Sequence, residues 1–330
     1  LRRESEQGRA RRTSGSNNIQ PGSSYCRMLP LDDAGVVKRI VERQFPQLAP
    51  ARVAYHGAGM DNSAFDVNDR WIFRFPMRQE VEATLMVERA ILPPLVSRVE
   101  PRLPEFEFNG APDADFPFHF AGYATVPGVL GTELDSSRVQ WDSVAEQLGH
   151  FLTAVHAFPL TEAEQLGVAT SHIESHFEEV RATSLELLPS VQRAVPDLPI
   201  DWLRRYLEEL RPLPRAPWRL ALVHNDLAAE HVLLAPDGSR LTGVIDWGDV
   251  AIADPTVDFV GLHAWRGDEL VRAVLRHYEG PVDERVLDRL RPWSRFRVIQ
   301  DIEFGFRNHH PEIVRMAVES LASPRMPLAT

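Results

Sequence analysis

Two neighbouring segments, LVHNDLAAEHVLL at residues 222–234 and GVIDWGDVAIADPTVDF at residues 243–259, carry the most specific pattern in the chain. In each segment an aspartate, Asp226 or Asp246, follows a short apolar run typical of a buried strand. A side chain at the end of a buried strand is held by a rigid scaffold, as chemistry requires. The sequence therefore predicts two well-positioned carboxylates.

A hairpin is predicted between these segments. The apolar runs at residues 232–234 and 241–245 flank Asp237-Gly238, a pair that favours a tight turn. Because the hairpin reverses the chain, we expect Asp246 to lie close to the loop that carries Asp226. Carboxylates placed in this way can hold a divalent ion and orient a hydroxyl, which is what phosphoryl transfer needs from a protein.

The same residues resemble a known family, the aminoglycoside phosphotransferases, whose fold is that of the protein kinases. The shared pattern is H-x-D at residues 224–226, a ligand five residues later, and IDWGD at residues 245–249. The closest branch is that of the aminoglycoside 2''-phosphotransferases, with the macrolide phosphotransferases nearby. The resemblance covers roughly residues 52–262 and is specific within residues 222–259. It implies an α+β, protein-kinase-like fold with a small antiparallel-sheet N-lobe and a larger, mainly helical C-lobe.

The resemblance also implies roles for individual residues. Asp226 corresponds to the catalytic aspartate, and Asp246 to the aspartate that holds Mg²⁺. His231 stands where most members have an asparagine as second metal ligand, and a hydrogen bond that fixes the loop is its alternative role, since Mg²⁺ prefers oxygen ligands. His224 is expected to brace the catalytic loop, and Asp258 to accept hydrogen bonds from the loop backbone.

The nucleotide site needs a cation for the phosphates, which kinases supply as a lysine on the third strand. The chain has one lysine, Lys38, in the first predicted helix, so it cannot serve. Arg74 in WIFRFP is the basic residue placed to substitute, and an ordinary edge-strand arginine is the alternative. Glu88 in the following helix is its expected partner, with Glu82 as second choice.

Two further segments are expected to contact the nucleotide, which is ATP or GTP. In HGAGMDNS, at residues 56–63, Gly57 and Gly59 permit close approach of the backbone and Ser63 could donate to a phosphate, although a plain hairpin turn fits the same letters. Backbone groups near Thr125 and Val126, just before the Pro-Gly pair of the predicted interlobe hinge, would bind the base.

Composition restricts the protein class. The chain has 330 residues and a single cysteine, Cys26, so neither a disulfide framework nor a thiolate metal cage is expected. We find no apolar run of about 18 residues and no secretory signal, so a cytoplasmic location is expected. A monomer is expected. His150 and His156 lie six positions apart in a predicted helix, which disfavours a metal pair between them.

The charge bears on the partner. The first 28 residues hold six of the 36 basic side chains and two of the 47 acidic ones, so the remainder carries a net charge of −15. Such a field repels nucleic acid and anionic membranes and attracts cationic solutes. The resemblance implies a cationic antibiotic as substrate, and this charge agrees with it, although many soluble proteins are simply acidic. Asp249 matches an acidic position that holds a substrate ammonium group in the 2''-phosphotransferases, with a solvated surface carboxylate as the alternative, and Asp268 and Glu269 are further candidate ligands.

The leading hypothesis is thus an antibiotic O-phosphotransferase that acts on an aminoglycoside and confers resistance. A macrolide phosphotransferase, or a kinase of a small amino alcohol or sugar, would share the same catalytic centre. A nucleotide-binding regulator without activity is a further alternative, because the usual lysine and asparagine are replaced.

The expected organisation has three parts. Residues 1–28 read as a disordered leader or a sequence introduced by cloning, residues 29–126 as the nucleotide-binding lobe, and residues 127–330 as the catalytic and substrate-binding lobe. Hydrophobic periodicity predicts helices at residues 33–45, at residues 80–92 with a stop at Pro93-Pro94, at residues 143–158, near residues 171–188 and near residues 201–210, and further helices in the last third, broken at Gly280-Pro281 and near Pro311. It predicts strands at residues 53–55, 64–67, 71–75, 118–126 and 221–223, besides the hairpin.

Overall fold

The structure, a computed structural model of the whole chain, describes residues 31–59, 61–212, 220–282 and 285–322. The predicted leader at residues 1–28 lies outside these ranges. The described part has a small antiparallel sheet followed by a larger, mainly helical part, so the predicted α+β class is confirmed.

The first part is built on a five-stranded sheet in the order β1-β2-β3-β5-β4, with every neighbouring pair antiparallel. Its strands are β1 (Val53–Ala58), β2 (Asn62–Val67), β3 (Trp71–Pro76), β4 (Phe106–Gly110) and β5 (Phe120–Ala124). Helix α1 (Ala34–Gln44) precedes the sheet, and helix α2 (Gln79–Val96) follows β3. Asp33 caps α1 by accepting hydrogen bonds from two backbone amides of its first turn. The predicted antiparallel meander is confirmed.

The two faces of this sheet have different chemistry. One face carries a cluster of buried phenylalanines that packs under α1 and includes Phe65, Phe73 and Phe120. Because side chains alternate along a strand, the other face of β3 presents Ile72 and Arg74. That second face therefore combines an apolar surface with a buried guanidinium.

Helix α2 corrects the predicted stop at Pro93-Pro94. Both prolines lie inside the helix, which runs on to Val96. Ile91, Leu92 and Leu95 are buried in the core of the larger part. Burial of these side chains outweighs the local cost of the prolines, which fall in the final turns of the helix.

The larger part contains the remaining elements. Its helices are α3 (Trp141–His156), α4 (Leu160–Gln165), α5 (Phe177–Ala194), α6 (Ile200–Glu209), α7 (Asp258–Leu275), α8 (Val286–Arg307) and α9 (Pro311–Ala322). Its strands are β6 (Val129–Leu130), β7 (Ala221–Val223), β8 (Val232–Leu234), β9 (Leu241–Val244) and β10 (Ala251–Ala253). None of the described helices is long and apolar enough to cross a membrane.

The predicted hairpin is confirmed and places the two key loops side by side. Strand β8 pairs with β9 in antiparallel register, with Val232 opposite Val244. Gly238 in the turn has a φ of +71°, a conformation that favours glycine, and a Cβ there would meet the backbone of Arg138 at 2.5 Å. Strand β7 pairs with β10, so the loops after β7 and β9 leave the same region of the lobe.

The last third also follows the predicted breaks. Helix α7 ends before Gly280-Pro281, and α9 begins at Pro311. Inside α7, Gly267 has a φ of +64° and interrupts the helix, a kink that the sequence pattern did not indicate. Strand β4 was also not predicted.

Candidate active site

The loop after β7 carries Asp226, and the side chain of Asp258 holds the backbone of this loop by hydrogen bonds. The Asp258 carboxylate accepts hydrogen bonds from the backbone amides of His224, at 2.9 Å, and Asn225, at 2.7 Å. Asp258 is fully buried at the start of α7. Asn225 has a φ of +69°, so these two bonds hold the chain in an unusual turn just before Asp226. The predicted contact of Asp258 with the loop backbone is present.

His224 joins the two loops that carry the aspartates. Its Nε2 lies 3.0 Å from the carbonyl oxygen of Ile245, and its Nδ1 accepts the amide of Asp226 at 3.3 Å. These partners require a neutral ring with the proton on Nε2. Burial lowers the pKa of His224, which agrees with the neutral form. The histidine thus links the backbone of one loop to that of the other.

The side chains of Asp226, His231 and Asp246 do converge. His231 Nδ1 lies 2.7 Å from the carbonyl oxygen of Asp226, which makes Nδ1 the donor. The same nitrogen is 3.5 Å from Asp226 Oδ2, and Nε2 is 3.7 Å from Asp246 Oδ2. Burial disfavours the charged imidazolium, but the carboxylates of Asp226, Glu230 and Asp246 favour it more, and the pKa of His231 is raised.

These groups fit a bound magnesium ion in part. Asp246 has a φ of +62° and a carboxylate that remains 48% exposed to the cleft, so an ion could reach it. The hydrogen bond at Nδ1 of His231 directs Nε2 towards Asp246, an arrangement that orients metal-binding histidines. The raised pKa means that a proton and a cation would compete for Nε2. The donor set therefore suits a divalent ion bound mainly through Asp246.

Arg74 spans the interface between the small sheet and the Asp246 loop. Its Nη1 donates to both oxygens of Glu88, at 2.8 and 3.0 Å, and its Nη2 donates to Asp246 Oδ1 at 2.9 Å. The side chain of Arg74 is 9% exposed and that of Glu88 is fully buried. Burial opposes the charged guanidinium, but Glu88 and Asp246 outweigh it, so the pKa of Arg74 is raised and the group stays charged.

Glu88, rather than Glu82, is thus the partner of Arg74. Glu88 also accepts the backbone amide of Trp247 at 3.2 Å, which ties α2 to the residue after Asp246. Burial raises the pKa of Glu88, and the charge of Arg74 opposes that shift. Glu82 binds the backbone amide and the ring of His119 instead.

Asp249 belongs to the same acidic region. Burial and the charges of Asp226, Asp61 and Asp246 raise the pKa of Asp249 to about 6. Asp249 is therefore close enough to the carboxylates of Asp226, Asp61 and Asp246 for their charges to add to the effect of burial. The region therefore holds more negative charge than its own arginines neutralise.

The glycine loop agrees with its prediction only in part. At Gly57 the φ is +157°, and a Cβ at Gly57 or Gly59 would meet nothing within 4 Å, so the loop is open. Ser63 corrects the prediction: its side chain is fully buried on the face of β2 that carries Phe65, opposite the face of Arg74. The serine hydroxyl cannot donate to a phosphate in this arrangement.

The interlobe segment offers an apolar surface and backbone groups. The Thr125 amide and hydroxyl both donate to the carbonyl oxygen of Arg70, at 2.9 and 3.1 Å, so these two donors are already engaged within the protein. Val126 is buried in a cluster with Tyr123 and Leu233, between the small sheet and β8. A flat base would find apolar contacts beside that cluster.

Asp268 and Glu269 are held by arginines rather than by the acidic cleft. Asp268 lies 2.7 Å from Arg291 Nη2 and 3.0 Å from His263 Nε2. Glu269 lies 3.4 Å from Arg266 near the kink of α7. Because Asp268 is already neutralised, the structure disfavours its predicted role as a ligand for a cationic substrate.

Sequence reasoning missed Arg297, which contacts the proposed catalytic aspartate. From α8, its Nη1 donates to Asp226 Oδ1 and its Nη2 to Glu230 Oε1. Asp301, one turn further along the helix, lies 3.8 Å from Arg297 Nε. Burial and the charges of Glu230 and Asp226 raise the pKa of Asp301 to about 7, although Arg297 opposes the shift. Three carboxylates thus surround one guanidinium.

A pocket of about 210 Å³ opens beside Asp226 and Arg297. Most of its wall is apolar, and α8 contributes two aromatic residues to it. The lining residues are Val180, Asn225, Asp226, Leu227, Val257, Val260, Gly261, Trp293, Phe296, Arg297 and Gln300. A substrate held there would face both the carboxylate of Asp226 and an apolar surface.

Comparison with known proteins agrees with this geometry. Residues 52–293 match the model of the phosphotransferase enzyme family. The chain belongs to that family. A structure of the GDP complex of an aminoglycoside 2'-phosphotransferase-IIIa is 26% identical, with a TM-score of 0.68 over 88% of this chain and 97% of that chain. The GDP and kanamycin complex of APH(2")-IIIa is 25% identical, with a TM-score of 0.64 over 86% and 96% of the two chains.

A curated relative, the viomycin phosphotransferase of Streptomyces vinaceus, is 30% identical over 170 residues, which are 51% of this chain and 57% of the relative. The two solved structures carry a nucleotide in the fold that this chain shares. This member of the phosphotransferase family is therefore an enzyme that transfers a phosphate to a hydroxyl group.

Proposed function

We propose that this phosphotransferase moves the γ-phosphate of ATP or GTP onto a hydroxyl of an aminoglycoside and so confers resistance. The observation that carries the proposal is the convergence of Asp226, His231 and Asp246 beneath the Arg74–Glu88 pair. The similarity to a GDP and kanamycin complex supports the choice of acceptor.

In the proposed reaction, Asp226 orients the acceptor hydroxyl and accepts its proton through Oδ2, since Arg297 binds Oδ1. Arg74 neutralises the phosphates of the nucleotide, with Glu88 fixing its direction. Asp246, assisted by His231, would hold Mg²⁺, whose positive charge stabilises the charge that develops on the phosphates. The hydroxyl oxygen forms the new bond to phosphorus as the bond to the β-phosphate oxygen breaks.

The charge of the cleft supports a cationic acceptor. Burial raises the pKa of Asp249 and of Asp301, and neighbouring carboxylates add to both shifts: Asp226, Asp61 and Asp246 at Asp249, and Glu230 and Asp226 at Asp301. An ammonium group placed between such carboxylates would relieve their mutual repulsion. We therefore place the amino groups of the acceptor near Asp249 and near the Glu230–Asp301 pair.

A macrolide is the second candidate because of the pocket beside Asp226. Val260, Trp293 and Phe296 give that pocket an apolar wall, which suits a large apolar ring with one amino group. A kinase of a small amino alcohol or sugar would use the same Asp226 but would leave most of that wall without contact.

A panel of antibiotics tests the proposal. Cells expressing the protein should grow in the presence of an aminoglycoside, and the purified protein should consume ATP or GTP only when that drug is added. The Asp226→Asn variant should bind nucleotide with unchanged affinity but lose turnover by about a thousandfold or more, since the base is lost. Phosphorylation of a macrolide alone would select the second candidate. Nucleotide binding without transfer to any acceptor would indicate a regulator instead.

A further inference from the structure

A second cluster of metal-ligating side chains lies outside the active site. One potential donor atom from each of Glu146, His150 and His277 lies within 4.8 Å of the other two. The first two residues belong to α3, and His277 lies just after α7. None of the three belongs to the phosphoryl-transfer site described above.

The cluster follows from helix geometry and from one tertiary contact. Glu146 and His150 are four residues apart on α3 and therefore project from the same face. His156, six residues after His150, turns away and contacts Asp258 instead. His277 reaches the same face from the turn after α7, where its backbone amide donates to the carbonyl oxygen of Val274.

The approach of His277 to α3 depends on a glycine. A Cβ at Gly149 would lie 2.7 Å from the Cβ of His277 and 2.7 Å from the carbonyl oxygen of Val274. Any larger residue at this position would push the turn after α7 away from α3. The absence of a side chain at Gly149 therefore lets His277 stand beside His150, with ring centroids 5.9 Å apart.

Two further contacts hold the same turn on α3. The amide of Glu279 donates to Thr153 Oγ1 at 3.0 Å. The hydroxyl of Tyr278 lies 2.7 Å from His156 Nδ1. These two contacts join α3 to the residues that directly follow His277. They therefore hold His277 beside Glu146 and His150.

From this arrangement we infer that Glu146, His150 and His277 bind a divalent transition-metal ion such as Zn²⁺, Ni²⁺ or Cu²⁺. Two imidazoles and one carboxylate suit these ions, whereas Mg²⁺ and Ca²⁺ prefer oxygen ligands. Small rotamer changes bring donor atoms up to 4.8 Å apart to a common ion at about 2.0–2.2 Å from each. Water completes the coordination, because Glu146 and His150 are exposed.

A metal at this place would clamp the end of α7 to α3. His156 contacts the Tyr278 hydroxyl through Nδ1, and its Nε2 lies 3.1 Å from Asp258 Oδ2. Asp258 in turn holds the backbone before Asp226. The clamp therefore stabilises the segment that supports the catalytic loop, and it does so whichever acceptor the enzyme uses.

Calorimetric titration of the full-length protein with Zn²⁺ tests the inference. The variants are His150→Gln, His277→Gln and Glu146→Gln, each checked for unchanged circular dichroism. His309→Asn is the matched control: it removes an exposed histidine on another helix junction and keeps a residue that tolerates its φ of +61°. Thermal unfolding with and without Zn²⁺ gives a second readout.

With millimolar Mg²⁺ present to occupy the Asp246 site, we expect one Zn²⁺ per chain in the wild type and in His309→Asn. The affinity should be at least about tenfold lower in each histidine variant, since loss of a direct ligand exceeds the usual effect of an outer contact. Glu146→Gln, at an exposed position, should fold normally and also weaken binding. Co²⁺ should give a visible absorption band that both histidine variants lose. Equal Zn²⁺ affinity in all variants would contradict the inference. Displacement of Zn²⁺ from this site by millimolar Mg²⁺ would also contradict it.

Discussion

Two arginines contact the two central aspartates, and they do so in different settings. Arg74 joins Asp246 to Glu88 in a region where the arginine is 9% exposed and the glutamate is fully buried. Arg297 joins Asp226 to Glu230 where the side chains are 22%, 30% and 42% exposed. The Arg74–Glu88 pair is buried between α2, β3 and the Asp246 loop, although Asp246 itself is 48% exposed, whereas the Arg297 group borders the open pocket.

The two arginines therefore differ in how the protein responds when a charged partner is lost. Removal of one partner from a buried ion pair leaves an uncompensated charge that water cannot reach. At the pocket, water or a substrate can replace a lost partner. We therefore expect changes around Arg74 to affect both folding and turnover, and changes around Arg297 to affect mainly turnover.

The largest effect is expected from Glu88→Ala. This change leaves Arg74 buried without its bidentate partner and removes the acceptor of the Trp247 amide. Loss of one member of such a pair costs about 3–5 kcal/mol of unfolding free energy. Denaturant unfolding monitored by tryptophan fluorescence gives the value.

Glu82→Ala is the matched control, because Glu82 lies on the same helix and binds His119 at a more exposed position. Its cost should be within about 1 kcal/mol. Similar losses of unfolding free energy in the two variants would show that burial of the Arg74–Glu88 pair does not increase its contribution to stability.

Arg74→Lys tests the geometry of the guanidinium while it keeps the charge. A lysine ammonium cannot donate at once to Glu88 on one side and Asp246 on the other in the fork geometry that Arg74 uses. Loss of one charged hydrogen bond corresponds to about 1.5–3 kcal/mol. The Michaelis constant for the nucleotide should rise at least about tenfold, as steady-state kinetics at saturating acceptor would show; an unchanged constant would mean that a point charge suffices.

Arg297→Gln should have a smaller and more selective effect. The variant leaves Asp226 Oδ1 without its guanidinium, so the carboxylate can rotate away from the acceptor hydroxyl. We expect kcat to fall about tenfold, because one charged contact of about 1.5 kcal/mol is lost, and the unfolding free energy to change by no more than about 1 kcal/mol. Steady-state kinetics and denaturant titration separate the two quantities.

Arg291→Gln serves as the control for Arg297→Gln. Arg291 also lies on α8 and also pairs with a carboxylate, Asp268, away from Asp226. It should leave kcat unchanged. If Arg291→Gln lowered kcat as much as Arg297→Gln, the effect would belong to α8 as a whole rather than to the contact with Asp226.

The comparison also explains which parts of the site could be predicted. The resemblance to the family placed Arg74 on the third strand and its partner in the next helix, as Glu88 or Glu82, and the structure selects Glu88. The resemblance likewise gave Asp226, Asp246 and His231, and the predicted hairpin between their segments explains why they lie close together. Sequence reasoning works where neighbouring elements determine the contact.

Arg297 could not be found in that way. It lies 71 residues from Asp226, and its contact depends on how α8 packs against α5 and α7. Its spacing to Asp301 indicated only an ordinary pair along one helix. Contacts that depend on the packing of distant helices leave no local pattern.

Ser63 and Pro93 show two other limits. The sequence placed Ser63 in the loop between the first two strands, but Ser63 lies in β2, and the side of that strand on which its hydroxyl lies depends on the register of β2 against β3. The stop at Pro93 failed because buried leucines and an isoleucine keep α2 helical beyond it. Local rules were overruled in both places by packing in the folded protein.

The last prediction concerns Asp301, whose contribution to stability should depend on pH. It tests the charge around Arg297 and not the charge around Arg74. Burial and neighbouring carboxylates raise the pKa of Asp301 to about 7 in the folded protein, against 3.8 ordinarily. Between those values the folded state binds more protons than the unfolded state, so stability from this group falls as pH rises and levels off above about pH 7. Asp301→Asn carries no such proton. The stability of the variant relative to the wild type should therefore increase from pH 5 through pH 7 and level off near pH 8 in denaturant titrations. A parallel pH dependence of the two proteins would mean that the surplus negative charge around Arg297 is already screened by water, and the pocket could then not favour a cationic acceptor in the way proposed.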